Sequence, residues 1–267
     1  MNNISIGGRP SVIFTSLSPI PESPLPSPAR AAELLQQIRD VVVPLQEHQS
    51  DEETLLNDIF QRVTEMVADR NVAQRFIEEL PEIIRLVRTD IEAIAENDPA
   101  ATSVCEVSLC YPATTAMIHY RTAHVLHQLG QPLLARIITE QAHSQTGIDI
   151  HPAATIGEAF AIDHGTGVVI GSTAIVGSHV TIYQGVTLGA RHFTRGSDGR
   201  PADMPRHPIV EDYVTIYSNT SVLGRVHIGS HAIIGGNLWI TRNIPPRAIV
   251  RQQPPQQQPG FTDGAGI

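Results

Sequence analysis

Two small clusters of ionisable residues interrupt a stretch that is otherwise aliphatic, small or glycine-rich: Asp149 with Asp163-His164, and Arg206-His207. A carboxylate beside an imidazole fixes its tautomer and raises its basicity, which makes Asp149 and His164 a candidate general-base dyad. Asp and His are also frequent at exposed turns, and the spacing fits a solvated pair too. Arg206 beside His207 suits recognition of a carboxylate, which a guanidinium grips through two parallel hydrogen bonds. The plainer alternative is a solvated loop base. A metal site using His164 and His207 with His179 or His192 would be a third chemistry, but no His-x-x-His or Cys-x-x-Cys spacing supports it, and no metal is expected. There is no Gly-x-Ser-x-Gly elbow and no glycine-rich phosphate loop, and Cys105 and Cys110 fall far from the histidines. What remains is direct transfer, in which a base takes a proton from an acceptor while the acceptor attacks.

The element that must position these residues is a repeat of six. An aliphatic residue returns at Ile150, Ile156, Ile162 and Val168, then after a slip of two at Ile170, Val176, Ile182 and Leu188, and again at Val210, Ile216, Val222, Ile228, Ile234 and Ile240. A second inward series, mostly small or apolar, runs two places earlier. Such a period fits neither a helix nor an alternating strand and marks a β-solenoid, whose turns bury their corners against one another. Three hexads make a triangular coil of about 18 residues, so Ile150 to Ile240 supplies roughly four coils. Asp149 and His164 then fall on neighbouring rungs, about three residues out of vertical register. The phase is lost after Leu188 and returns at Val210, so residues 190–208 form an extruded loop that delivers Arg206 and His207 where it rejoins the coil.

Ahead of the repeat the periodicity is helical. Leu34, Leu35, Ile38, Val41, Val42 and Leu45 predict a first helix ended or kinked by Pro44, and a second runs from about 52 to 69. Phe76 to Ile94 form the apolar stripe of a third, which Pro81 kinks or divides and Asn97-Asp98-Pro99 stops. Two more, about 113–129 and 132–144, end at Gly130 and Gly147. These helices do not interleave with the repeat, so the fold class is α+β, with an all-α block placed to cover the open end of a parallel β-helix. The expected domains are a disordered Pro/Ser-rich arm at 1–27, the helical domain at 28–146, the β-helix at 147–250 and a flexible tail at 251–267.

Over 267 residues the formal net charge is −9, with no basic stripe, which excludes a nucleic-acid footprint. Two cysteines are too few for a disulfide framework and suit a reducing cytosol. No run approaches a membrane span and no secretory signal is evident, so a cytoplasmic enzyme is expected.

The chain resembles the serine O-acetyltransferases, hexapeptide-repeat enzymes that open cysteine biosynthesis in bacteria and plants. The resemblance covers about residues 75–250. It is carried by Thr146-Gly-Ile-Asp-Ile-His-Pro152, Ile162-Asp-His-Gly-Thr-Gly-Val-Val-Ile-Gly171, Gly185-Val-Thr-Leu-Gly189 and Arg206-His-Pro208, with Asn97-Asp-Pro-Ala100 and Tyr120-Arg-Thr-Ala-His124 in the helical block. It implies a left-handed β-helix, an exception to the usual crossover hand. It implies His164 as the base acting on the serine hydroxyl and Asp149 as its orienting carboxylate. Asp98 and Asp163 would hold the substrate ammonium, Arg206 its carboxylate, and His207 would assist binding or proton transfer. Acetyl-CoA, a co-substrate rather than a resident cofactor, would lie near Gly189, Ala190 and Gly224. Also implied are a homotrimer or dimer of trimers, inhibition by cysteine, and docking of a sulfhydrylase through the terminal Ile267. The competing readings are transfer to another small hydroxyl acceptor, such as homoserine or a sugar, and a non-catalytic scaffold.

Overall fold

The computed structural model describes residues 25–43, 52–192 and 204–253. Most of the Pro/Ser-rich arm, part of the loop, and the tail with Ile267 lie outside the described residues. The chain begins with helices α1 (Pro28–Val42), α2 (Glu52–Val67), α3 (Arg70–Asn97), α4 (Val104–Cys110), α5 (Pro112–Gln128) and α6 (Pro132–Thr146). Proline opens α1, α5 and α6 at positions where its missing N–H costs nothing. Gly147, at φ 71°, ends α6. Asp69 caps α3 by accepting from the Asn71 amide at 2.8 Å.

Two expectations change here. Pro81 does not divide the third helix, which continues for 28 residues. Its ring lies on the exposed face, while Phe76, Leu80, Ile83, Val87 and Ile91 bury the opposite stripe. The second change is α4, a short helix the periodicity did not reveal. Ser103 caps it by accepting from the Glu106 amide at 3.1 Å, and the Glu106 carboxylate accepts from the Thr102 amide at 2.7 Å.

After Gly147 the chain coils through three parallel sheets of five, four and five strands. The first face stacks Asp149–Ile150, Val169–Ile170, Thr187–Gly189, Ser221–Leu223 and Trp239–Ile240. The second stacks Thr155–Ile156, Ile175–Val176, Ile209–Val210 and His227–Ile228; the third stacks Ala161–Asp163, Thr181–Tyr183, Thr215–Ile216, Ile233–Ile234 and Ile249–Val250. On the first face Asp149 pairs with Val169, Val169 with Thr187, Thr187 with Ser221 and Ser221 with Trp239. The steps are therefore 20, 18, 34 and 18 residues, a coil of 18 with the expected slip of two and the expected loop. Strands of two or three residues have little stability of their own. Ile150, Ile162, Ile170, Ile182, Leu188, Val210, Ile216, Val222 and Ile234 are all at most 3% exposed, and each buried aliphatic contributes about 1.5–3 kcal/mol.

The first coil has a free edge, because its strands end their sheets, and that edge must be covered. Neighbouring rungs exchange backbone hydrogen bonds: the Thr155, Gly157 and Ala161 amides donate to the Ala174, Val176 and Val180 carbonyls of the next rung, and the His179 amide donates back to the Glu158 carbonyl. Carbonyls of the first coil that face away from the second have no rung beneath them, and helix α5 supplies their partners. Tyr120 donates its hydroxyl to the Ala154 carbonyl at 2.7 Å, and Arg121 donates to the Ile156 and Gly157 carbonyls at 2.6 Å each. His124 places Nδ1 2.8 Å from the Pro152 carbonyl. Arg121 is also paired with Asp90 of α3, at 2.9 and 3.0 Å, and Asp90 accepts from the Phe160 amide at 2.9 Å. Asp90 is fully buried and Arg121 only 4% exposed, so this pair locks the helical block onto the solenoid at a fixed angle. Among the described residues no helix is long and apolar enough to cross a membrane.

Candidate active site

The two-residue slip forms the corner between the third and first faces. His164 adopts φ +57°, followed by Gly165 at +88° and Gly167 at +79°. A side chain at Gly165 would come within 2.5 Å of Ile148 Cδ1, so this bulge needs glycine there. The bulge lifts His164 out of the coil to 72% side-chain exposure, with Nδ1 3.7 Å from an Asp163 carboxylate oxygen. Asp98, at the carboxyl end of α3, comes to the same corner, close enough for His164 to help hold its carboxyl below the usual range. The larger causes are hydrogen bonds: Tyr111 donates to one Asp98 oxygen at 2.6 Å and the Ala100 amide to the other at 2.8 Å. Asp98 in turn pushes the Tyr111 phenol up to about 12, so the phenol stays a donor. Asp98, Asp163 and His164 thus converge, two carboxylates and an imidazole at the junction of the helical block and the coil.

Asp149 opens the first face at the edge into which the His164 turn leads. No hydrogen bond joins it to His164 among the described residues; its nearest ionic partner is Arg136 at 3.8 Å. The slip places Val169 above Asp149, so His164 falls five residues short of vertical register rather than the expected three.

Arg206 and His207 lie at the next corner, between the first and second faces. Thr173 organises the turn: its hydroxyl accepts from the Arg206 and His207 amides at 2.9 and 3.1 Å and lies 2.8 Å from His207 Nδ1. The Thr173 amide donates to the same Nδ1 at 3.1 Å, which leaves the proton on Nε2. Arg225 braces the corner by donating to the Thr173 and His207 carbonyls at 2.7 and 3.0 Å. The ring lies flat over Gly171, where a Cβ would sit 2.0 Å from it. Burial first, then the neighbouring Arg206, His151 and Arg225, lowers His207 to about 4, so the ring is a neutral Nε2–H donor. Gly189 and Gly224 meet on adjacent rungs of this corner, the Gly224 amide donating to the Gly189 carbonyl at 2.9 Å, and Ala190 follows at the base of the loop. Spacing gave no sign of Tyr111, Thr173 or Arg225, because each acts through another residue.

Within one chain the predicted residues therefore form two groups, on successive corners. His179 occupies the third corner, so His164, His179 and His207 cannot share a metal ion within one coil.

The buried histidines carry a pH dependence. His119, whose Nδ1 is 2.7 Å from the Thr115 carbonyl, is also lowered to about 4 by burial. Unfolded, both rings titrate near 6.5, so between about 6.5 and 4 the unfolded chain binds more protons and stability falls as pH drops. The urea midpoint should be lower at about pH 5 than at about pH 7, and the double variant His119→Gln/His207→Gln should lose part of that slope. An identical slope in the variant would contradict the assignment.

A helical region followed by a parallel β-solenoid of about five turns is the fold of the class to which the following relatives belong. The family model described as serine acetyltransferase, N-terminal, matches residues 41–112. A plasmid-encoded serine acetyltransferase of Synechococcus elongatus is 49% identical over 197 residues, 73% of this chain and 61% of that relative. The serine acetyltransferase of Mycobacterium tuberculosis is 45% identical over 65% of this chain and 72% of its own length. Among solved structures, serine acetyltransferase 1 of Entamoeba histolytica in complex with L-cysteine superposes with a TM-score of 0.73 at 40% identity, covering 82% of this chain and 86% of that one. The chain belongs to the serine acetyltransferase family.

Proposed function

We propose that the protein transfers the acetyl group of acetyl-CoA to the hydroxyl of L-serine, giving O-acetyl-L-serine and CoA. The observation that carries this reading is the convergence of Asp98, Asp163 and His164 on one corner. Two carboxylates suit an ammonium group, and the exposed imidazole suits a hydroxyl proton. Relatives support both substrates: the Neisseria gonorrhoeae enzyme is solved with serine, at 29% identity and TM-score 0.61, and that of Brucella abortus with coenzyme A, at 26% and 0.62.

In this mechanism His164 takes the serine hydroxyl proton as the oxygen attacks the thioester carbonyl. The tetrahedral intermediate then expels the CoA thiolate, which recovers the proton from the imidazolium. The loosely held His164 ring turns toward Asp149, which orients it; hydrogen bonds of this kind are often formed only with substrate bound. Arg206 holds the serine carboxylate, and His207 donates from Nε2. Acetyl-CoA lies along the corner of Gly189, Ala190 and Gly224.

The two groups are completed as one site when the third-to-first corner of one chain meets the first-to-second corner of another, in a homotrimer. The face between those corners carries Val169, 37% exposed, and Trp239, 71% exposed, an apolar surface suited to a second copy. Pairing of trimers through the helices and sulfhydrylase docking through Ile267 rest on the family resemblance. Cys105 and Cys110 are free and exposed, which suits the cytosol.

Free-thiol release from acetyl-CoA with L-serine, L-homoserine or a sugar tests the reading. L-serine should be the best acceptor; a better homoserine rate would shift the function to the other acceptor. Tyr111→Phe, which removes one clamp on Asp98, should raise KM for serine about tenfold or more, the worth of a hydrogen bond to a charged group, and leave KM for acetyl-CoA unchanged. An unchanged serine KM would show that Asp98 needs no such clamp.

A further inference from the structure

The corner between the second and third faces carries one left-handed residue per coil: Ala159, His179, Tyr213, His231 and Arg247, with φ between 55° and 61°. Three of them stack their rings. His179 and Tyr213 are 4.7 Å apart and 4° from parallel, and Tyr213 and His231 are 4.8 Å apart and 2° from parallel. This spacing equals the distance between hydrogen-bonded strands, so the column is set by the rungs. It stops at His179, because the next position toward the helices is Ala159. There the column ends on a cavity of about 620 Å³ between α3 and the third face, lined by His179, Ala159, Thr181, Thr89, Glu92 and Glu96, among others.

The charges around this cavity select its ligand. Arg85, the one cation lining it among the described residues, is already bonded to Glu82 at 2.7 and 2.8 Å and to Glu158 at 2.7 Å, so it offers little to an anion. Glu92 and Glu96 are exposed one helical turn apart and have no ion-pair partner among the described residues. A flat ring above Ala159 would continue the stack, and a positive group on that ring would meet the two free carboxylates.

We propose that this cavity is a second small-molecule site, separate from the acetyl-transfer corners, that takes a planar aromatic ring bearing a protonated amine. The ring stacks on His179 as a further member of the column, and the ammonium is held by Glu92 and Glu96, with the hydroxyls of Thr89 and Thr181 nearby. The proposal does not depend on the serine reading, since the site shares no residue with it.

Calorimetric titration of the full chain with tryptamine tests it. Saturable binding at one site per chain is expected, weakened about tenfold by His179→Ala, the worth of one aromatic stack. The double variant Glu92→Gln/Glu96→Gln, on an exposed helix face, should weaken it similarly, and Ala159→His, which fills the vacant rung, should abolish it. Absence of saturable binding at millimolar tryptamine would overturn the proposal. So would equal affinity for the uncharged 3-(2-hydroxyethyl)indole, or undiminished binding to His179→Ala.

Discussion

His164→Ala is expected to lower turnover with L-serine by about a hundredfold or more, the usual worth of a positioned base, without moving the thermal midpoint appreciably. The side chain is 72% exposed and its one ionic contact, to Asp163, is 3.7 Å long, so little packing is lost on truncation. What is lost is the only imidazole, among the described residues, at the corner where Asp98 and Asp163 converge. His164→Asn, which tolerates the left-handed backbone better, should lose as much activity, because an amide cannot accept the proton. Steady-state rates of thiol release decide the matter. Turnover within a few-fold of wild type in either variant would remove His164 from the base role.

Arg121→Met should destabilise the protein by about 3–5 kcal/mol, the cost of leaving one member of a buried ion pair alone. The substitution strands the Asp90 carboxylate, which burial already pushes upward, and takes the donors from the Ile156 and Gly157 carbonyls. No rung lies on that side of the first coil to replace them, since its strands end their sheets. The loss should also reach the site. Asp90 and Asp98 ride on the same helix, and the Asp90 bond to the Phe160 amide sets that helix against the turn leading to Asp163. Equilibrium urea unfolding measures the effect, and a loss below about 1 kcal/mol would show that the helices are held by apolar packing instead.

Much of this architecture could be read from spacing because a solenoid converts sequence distance into height. The return of aliphatic residues every six positions gave the rungs, the slip after Val168 gave the bulge carrying His164, and the gap after Leu188 gave the loop. The same slip defeated the register drawn between Asp149 and His164, since two extra residues displace one against the other. Spacing alone also did not separate the corners on which the two groups lie, so the separation of Arg206 and His207 from His164 became clear only with the faces in place. Tyr111 and Thr173 were invisible for a different reason: they act by holding another residue, and no period marks a hydroxyl that clamps a carboxylate or an imidazole. Helix α4 did carry a signal, the Ser103 to Glu106 capping pair, but seven residues are too few for an apolar stripe.

The proposed mechanism requires one active site shared by two chains, and mixed assemblies test that most directly. His164→Ala chains and Arg206→Ala chains, carrying different tags and co-expressed, can be purified as assemblies containing both. Each parent should be nearly inactive at subsaturating serine. Mixed assemblies should recover a substantial part of wild-type thiol release, because some of their sites pair an intact His164 corner with an intact Arg206 corner. Mixed assemblies no more active than their parents would contradict the shared site.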